Sequence, residues 1–169
     1  QAVLELKKEH DIRPEDVAHV YVDLQMDKPT YRYRIPKTDL EARYSLSYGI
    51  AAALLDGELT LEQYTDQRVH SADCADMMER IVDVPAEGDA QQNVVIELRD
   101  GSRLEKRIRY SKGHPLHDPL TLEEVCGKYR TCAGRMLPPE QVESSMEAIL
   151  HLEEAQDLRK VMGLLVAAP

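Results

Sequence analysis

One stretch of the chain gathers residues suited to holding an anion. Glu41-Ala42-Arg43-Tyr44-Ser45-Leu46-Ser47-Tyr48 sets an arginine, two serines and two tyrosines within eight residues. At a helix start, free backbone amides, the positive end of the helix dipole and an arginine fork make a natural carboxylate site. The plainer reading is that Tyr44 and Tyr48, four apart, stack as core aromatics while Arg43 lies on the surface. Arg32 and Arg34, in the preceding loop, either approach the same helix start or sit in a solvated loop. His114 and His117 lie together beside Asp118, but a metal site needs a third and a fourth ligand, and none is evident in the sequence. They read as loop histidines, with turn chemistry from Gly113, Pro115 and Pro119. No Gly-rich phosphate loop, HExxH, GxSxG or EF-hand pattern occurs.

The elements that must position these residues follow from periodicity and caps. Residues 2–10 read as a short amphipathic helix. Residues 18–24 alternate apolar and polar with β-branched side chains, as a strand does. Residues 27–37 are a loop. Thr38-Asp39-Leu40-Glu41 has the capping-box pattern, so the sequence predicts one helix from about Asp39 to Asp56, stopped by Gly57. Leu40, Tyr44, Ser47, Ala51, Leu54 and Leu55 share one face of it, and Leu46, Ile50 and Ala53 a second. Such a helix is mostly buried. Thr60-Leu61-Glu62-Gln63 opens a short helix, and Ser71 caps another with Cys74, Met77, Met78 and Ile81 inward.

Residues 81–84 form a further strand, and 85–92 a loop. Residues 94–98 and 103–110 flank Asp100-Gly101, a hairpin signal in which both turn residues take φ > 0. Leu104, Ile108, Tyr110 and Lys106 share one face of the second strand. Arg103, Glu105, Arg107 and Arg109 line the other, solvated face. Residues 112–120 connect to a helix capped by Thr121-Leu122-Glu123-Glu124 and running to about Met136. Pro138-Pro139 opens the next helix, and the last covers 152–165. The order predicts an α+β, two-layer fold. A small mixed or antiparallel sheet of about four strands packs with helices and is followed by C-terminal helices. The domain reading is 1–120 for the α/β part and 121–169 for the C-terminal helices.

Composition sets limits. The 169 residues carry 21 Lys+Arg against 31 Asp+Glu, a net charge of −10, which opposes binding to nucleic acid or an anionic membrane. Phe and Trp are absent, so base stacking would fall to the eight tyrosines. No apolar run approaches the roughly 18 residues of a membrane span. Three cysteines without CxxC, Cys74, Cys126 and Cys132, point to a reducing, cytoplasmic setting. The basic strand 103–109 alone suggests nucleic acid, and the net charge outweighs it.

The run from Glu41-Ala42-Arg43-Tyr44-Ser45 through Leu54-Leu55-Asp56-Gly57 resembles the MmgE/PrpD family. So do, in order, Ile12–Val22, Leu98-Arg99-Asp100-Gly101-Ser102, and the stretch from Gly113-His114-Pro115 to Lys128-Tyr129. Family members include 2-methylcitrate dehydratase, cis-aconitate decarboxylase and iminodisuccinate epimerase. The resemblance implies the C-terminal region of a longer enzyme: an α/β lid domain, plus final helices that pack against a helical domain outside this chain. It implies a small di- or tricarboxylate substrate and a homodimer in the full protein; no motif calls for a cofactor or a metal.

By the same resemblance Tyr48 is the catalytic residue reaching in from the lid, Arg43 and Ser45 belong to the same motif, and His114 is structural; with Ser47 from the helix-start reading, Arg43 and Ser45 are expected on the substrate. The base belongs to the helical domain, so the chain alone is expected to be inactive. The activity expected is that of a 2-methylcitrate dehydratase. The alternative is a stand-alone carboxylate-binding or interaction module of the same fold. If the chain is a piece, Val142, Met146, Ile149, Leu158, Val161, Leu164 and Leu165 are expected to be exposed.

Overall fold

The computed structural model describes residues 1–24, 33–85 and 92–167. The chain divides into two compact units, Gln1–Ser111 and Lys112–Pro169.

The first unit is built on four strands: β1 (Val17–Leu24), β2 (Ile81–Pro85), β3 (Gln92–Leu98) and β4 (Arg103–Ile108). Their order in the sheet is β2-β1-β3-β4. β2 runs parallel to β1, with Val20 opposite Ile81, and the other two pairs are antiparallel, so the sheet is mixed. A parallel pair needs a long crossover connection, and the described residues between β1 and β2 supply helices for it. These helices are α2 (Asp39–Ala42), α3 (Leu46–Asp56), α4 (Asp66–Val69) and α5 (Ala72–Glu79), after α1 (Ala2–His10).

Alternation along the strands puts Val20, Val22, Val94 and Ile96 on one face. There they join Val3, Leu6, Ile50, Leu54, Cys74 and Met77 in a single core. Both sheet edges carry a charge that blunts further pairing. On β4, Lys106 points to the core side and its ammonium bridges Glu5 and Glu9 of α1. This explains a lysine among Leu104 and Ile108. On β2, the Arg34 guanidinium donates to the Ile81 carbonyl and to Asp83 Oδ2, the latter at 2.9 Å.

Two turns differ from expectation. The single helix expected over 39–56 is two, because Ser45 is extended (φ −114°, ψ 111°) and begins α3 afresh as its N-cap. The break throws Leu40 and Tyr44 out of phase with the buried face, and both are exposed. The hairpin is present, but only Gly101 has positive φ (86°). Gly101 N–H donates to the Leu98 carbonyl and Leu98 N–H to that of Ser102. That is a three-residue loop ending in a left-handed glycine, not the two-residue turn with both φ positive. Ser71 stands at the start of α5 without capping it through its side chain, because its hydroxyl donates to the Arg68 carbonyl.

The second unit holds α6 (Leu122–Ala133), α7 (Pro139–Leu150) and α8 (Leu158–Gly163). The Thr121 capping box is complete: Glu124 N–H donates to Thr121 Oγ1 and Thr121 N–H to Glu124 Oε2. The last helix is shorter than expected, since 152–154 form a separate 3-10 turn and Asp157 caps α8. Tyr129 Oη and Ser145 Oγ meet at 2.7 Å between α6 and α7, and Arg130 pairs with Glu143. Of the side chains expected at the surface, Ile149, Leu158 and Leu165 are exposed, whereas Val142, Met146 and Val161 are buried within this unit. In this unit α7 packs against both α6 and α8. Exposed apolar side chains unforeseen from the sequence are Leu122, Val125, Met136 and Met162. No helix among the described residues is long and apolar enough to cross a membrane.

Candidate functional site: a cleft at the start of α3

A half-open cleft of about 320 Å³ lies within the first unit, where the starts of α1 and α3 meet the ends of β1, β3 and β4. Its floor is aliphatic, with Leu46, Ile50, Ala53, Val22, Val94 and Ile108 among the lining residues. Its polar groups include Arg43, Ser45, Tyr64, Asp23 and Ser111. Arg43 and Ser45, both singled out in the sequence, are thus brought to one cavity, whereas Ser47 and Tyr48 do not line it.

Proton counting fixes the role of the two serines. Ser47 Oγ donates its one proton to the Arg34 carbonyl. Ser45 Oγ lies 3.1 Å from Ser47 Oγ and must therefore be the donor in that pair. Ser45 also accepts the Tyr48 N–H at 3.2 Å, which caps α3. Both hydroxyl protons are committed inside the fold, and both serines are buried. They hold the helix start and the segment carrying Arg34. A carboxylate, which only accepts hydrogen bonds, gains no donor from either in this arrangement.

The Tyr48 side chain is fully buried, and its hydroxyl donates to the Gln63 carbonyl. Burial pushes its phenol up to about 12. The phenol on the cleft wall is Tyr64 instead, its ring packed on that of Tyr48 with centroids 5.8 Å apart. Among the described residues no hydrogen bond uses the Tyr64 hydroxyl. Burial raises its pKa, and the nearby Arg43 charge acts in the opposite direction. Sequence reasoning missed Tyr64. The available signal was the Thr60-x-x-Gln63 box, which does form, with Thr60 N–H donating to Gln63 Oε1 at 2.8 Å. That turn ends on Tyr64 and so fixes where its ring goes.

Arg43 is half exposed, with its guanidinium 3.4 Å from Asp39 on the same turn. A surface pair of this kind is weak and screened. The fork can therefore turn to a ligand carboxylate at little cost. Arg34 does not join it, being held on the β2 edge, and Arg32 lies outside the described residues.

The loop histidines stack with ring centroids 4.8 Å apart, and His114 bridges Asp118 through its backbone. Among the described residues one trio of metal-type donors comes close together, His151, Glu153 and Glu154, all exposed. His151 Nε2 also lies 3.2 Å from Glu147. Such a group at a helix end is ordinary surface pairing. The three cysteines are free, with Cys74 buried and Cys132 exposed.

Comparison with known proteins adds what geometry alone does not. The chain is 29 % identical over 136 residues to a cis-aconitate decarboxylase of Mus musculus, matching 77 % of this chain and 28 % of that protein. It is 26 % identical to the Homo sapiens cis-aconitate decarboxylase over the same shares. It is 24 % identical over 163 residues to the enzyme of that name from Aspergillus terreus, matching 89 % of this chain and 33 % of that protein. The chain therefore spans about a third or less of the curated relatives it matches. The family model described as the MmgE/PrpD C-terminal domain matches residues 1–154. With an α+β fold of the expected kind and a match over nearly its whole length, the chain belongs to the MmgE/PrpD family and carries its C-terminal domain.

Proposed function

We propose that this chain is the C-terminal region of a lyase acting on a small di- or tricarboxylate, and that Arg43 anchors one carboxylate of the substrate. The observation that carries this reading is the position of Arg43 on the wall of a cleft that also holds the Tyr64 phenol, in a domain whose relatives are named for a carboxylate substrate. Both reactions need two things: a group that moves a proton at carbon (a base that removes it in elimination of water, an acid that delivers it to the carbon losing carbon dioxide), and dipoles or cations that hold charge as it develops. Arg43 and Tyr64 supply part of the second. We assign that acid or base to parts of the polypeptide outside this chain, and expect the 169-residue chain alone to show no turnover. In the same reading the whole enzyme works as a homodimer, and the helices of the second unit meet a helical domain of the same polypeptide.

The relatives' names favour decarboxylation of cis-aconitate. Dehydration of 2-methylcitrate is the second reading, and the aliphatic floor beside Arg43 supports it, because that substrate carries an alkyl group and cis-aconitate does not. In both, Tyr48 acts from the core by fixing the Tyr64 ring.

The test is the full-length polypeptide assayed on both substrates, by carbon dioxide release for one and water elimination for the other. Turnover of either is expected, with Arg43→Ala raising KM at least tenfold. Failure to turn over both, or an unchanged KM in the variant, would overturn the assignment.

A further inference from the structure

The cleft is poorly matched to a ligand charged at every end. Its one cationic side chain is the Arg43 guanidinium; beside it stand the Tyr64 phenol, the Ser111 hydroxyl and Gln1, and its floor is largely aliphatic, with Leu46, Ile50, Ala53 and Val94. A second or third carboxylate pushed into that floor would lose water and gain no partner, at a cost well beyond what one arginine returns. The carboxylate of Asp23, also on the wall, would repel it. Gly49 sharpens the point. It lies inside α3, where glycine is less favourable than alanine, yet an added Cβ would make only ordinary contact with Leu59 at 3.6 Å. Nothing in the packing of the unit demands the glycine. Its one evident effect is to leave room in the cleft that it lines.

We propose that the cleft takes a carboxylate bearing a hydrocarbon arm: the carboxylate between Arg43 and the Tyr64 hydroxyl, the arm over Gly49 and Ile50. This rests on the reading of Arg43 as the carboxylate anchor. It goes further by making an alkyl substituent a preference of this side of the site. A volume of about 320 Å³ is at the small end for ligand pockets, which confines the arm to a short chain.

The experiment is calorimetric titration of the full-length protein with unbranched monocarboxylates from acetate to octanoate, and with tricarballylate as a fully charged control. Affinity is expected to rise about threefold to fourfold per added methylene, and then to level off once the cleft is full. Arg43→Met is expected to weaken every member of the series at least tenfold. Tyr64→Phe, which keeps the ring on Tyr48, should weaken it severalfold without changing the slope. Gly49→Leu should bring the plateau forward by two or more carbons while leaving acetate unaffected. Circular dichroism melts of each variant separate loss of binding from loss of fold.

A flat series overturns the proposal, as would follow if the polypeptide's own upstream segment or a partner fills the cleft. So does tricarballylate binding as tightly as hexanoate. The two readings fail separately. Turnover of cis-aconitate with a flat series sinks the alkyl preference alone. A rising series that ignores Arg43→Met sinks the anchor, even if neither substrate is turned over.

Discussion

Tyr48 illustrates how a chemically able side chain can also carry part of the fold. Its hydroxyl is the donor for the Gln63 carbonyl, inside the core. Tyr48→Phe leaves that carbonyl unpaired, and an unsatisfied buried acceptor costs about 1–3 kcal/mol. Chemical denaturation should show that loss with the Tyr64 cleft still formed; no loss would mean that the carbonyl finds another donor. The same residue gives a pH dependence. Its folded pKa, about 12, lies above the usual tyrosine value of 10. The unfolded chain therefore ionises first as pH rises. Its contribution to stability is complete below pH 10 and declines from there toward pH 12. Denaturation midpoints measured from pH 9 to 11.5 should fall more steeply for the wild type than for Tyr48→Phe. Parallel curves would remove Tyr48 as the cause.

At the scale of elements, the decisive feature is the break between α2 and α3. Ser45 caps α3 and also feeds Ser47, which in turn holds the Arg34 carbonyl. Ser45→Ala removes the cap and a link of this chain together, so the loss should exceed the roughly 1 kcal/mol of an isolated cap. Thr38→Ala should stay near that figure, and equal losses would mean that the chain of hydroxyls carries nothing. At the other end of α3, Arg68 joins Asp56 to Asp73 and Ser71, tying the helix to α5. It is only a fifth exposed, and its charge-assisted bonds resist screening. Arg68→Met should cost about 2 kcal/mol, with little change between low and high salt in a urea melt. A loss that vanishes in salt would make it a surface pair.

These elements also show what could be read from residues alone. The strands, the hairpin, α1, α6 and α7 were legible, because caps, Asp-Gly and two-residue alternation are local signals. The break at Ser45 was not, since the Glu41 pattern and the apolar positions on both sides suit one continuous helix. Its cause is a serine whose partners, Ser47 and Arg34, become neighbours only when the loop folds back. The same holds for the site. Arg43 was legible as an anion donor, whereas Tyr64 depends on a 3-10 turn that sets its ring on Tyr48.

For the whole molecule, the question is what the exposed apolar side chains of the second unit do. Leu122, Met136, Leu158 and Met162 are each more than half exposed, on a unit whose α6 buries no residue completely. Single exposed apolar side chains need no explanation, but several on α6, on α8 and in the turn after α6 suggest a surface meant to be covered. The chain spans about a third or less of its relatives, so the proposed cover is the rest of the polypeptide. Two measurements follow. The 169-residue chain alone should bind a hydrophobic dye and elute in gel filtration as concentration-dependent oligomers. The full-length polypeptide should do neither beyond a defined dimer. Replacing Leu122, Met136, Leu158 and Met162 by glutamate should make the short chain monomeric, since these side chains contribute little to the unit's own core, and should disrupt the full-length protein, where the same positions would be buried. A short chain that runs as a compact monomer without dye binding would mean that this surface is adequately solvated. Substitutions that leave the full-length protein intact would mean that its partner lies elsewhere.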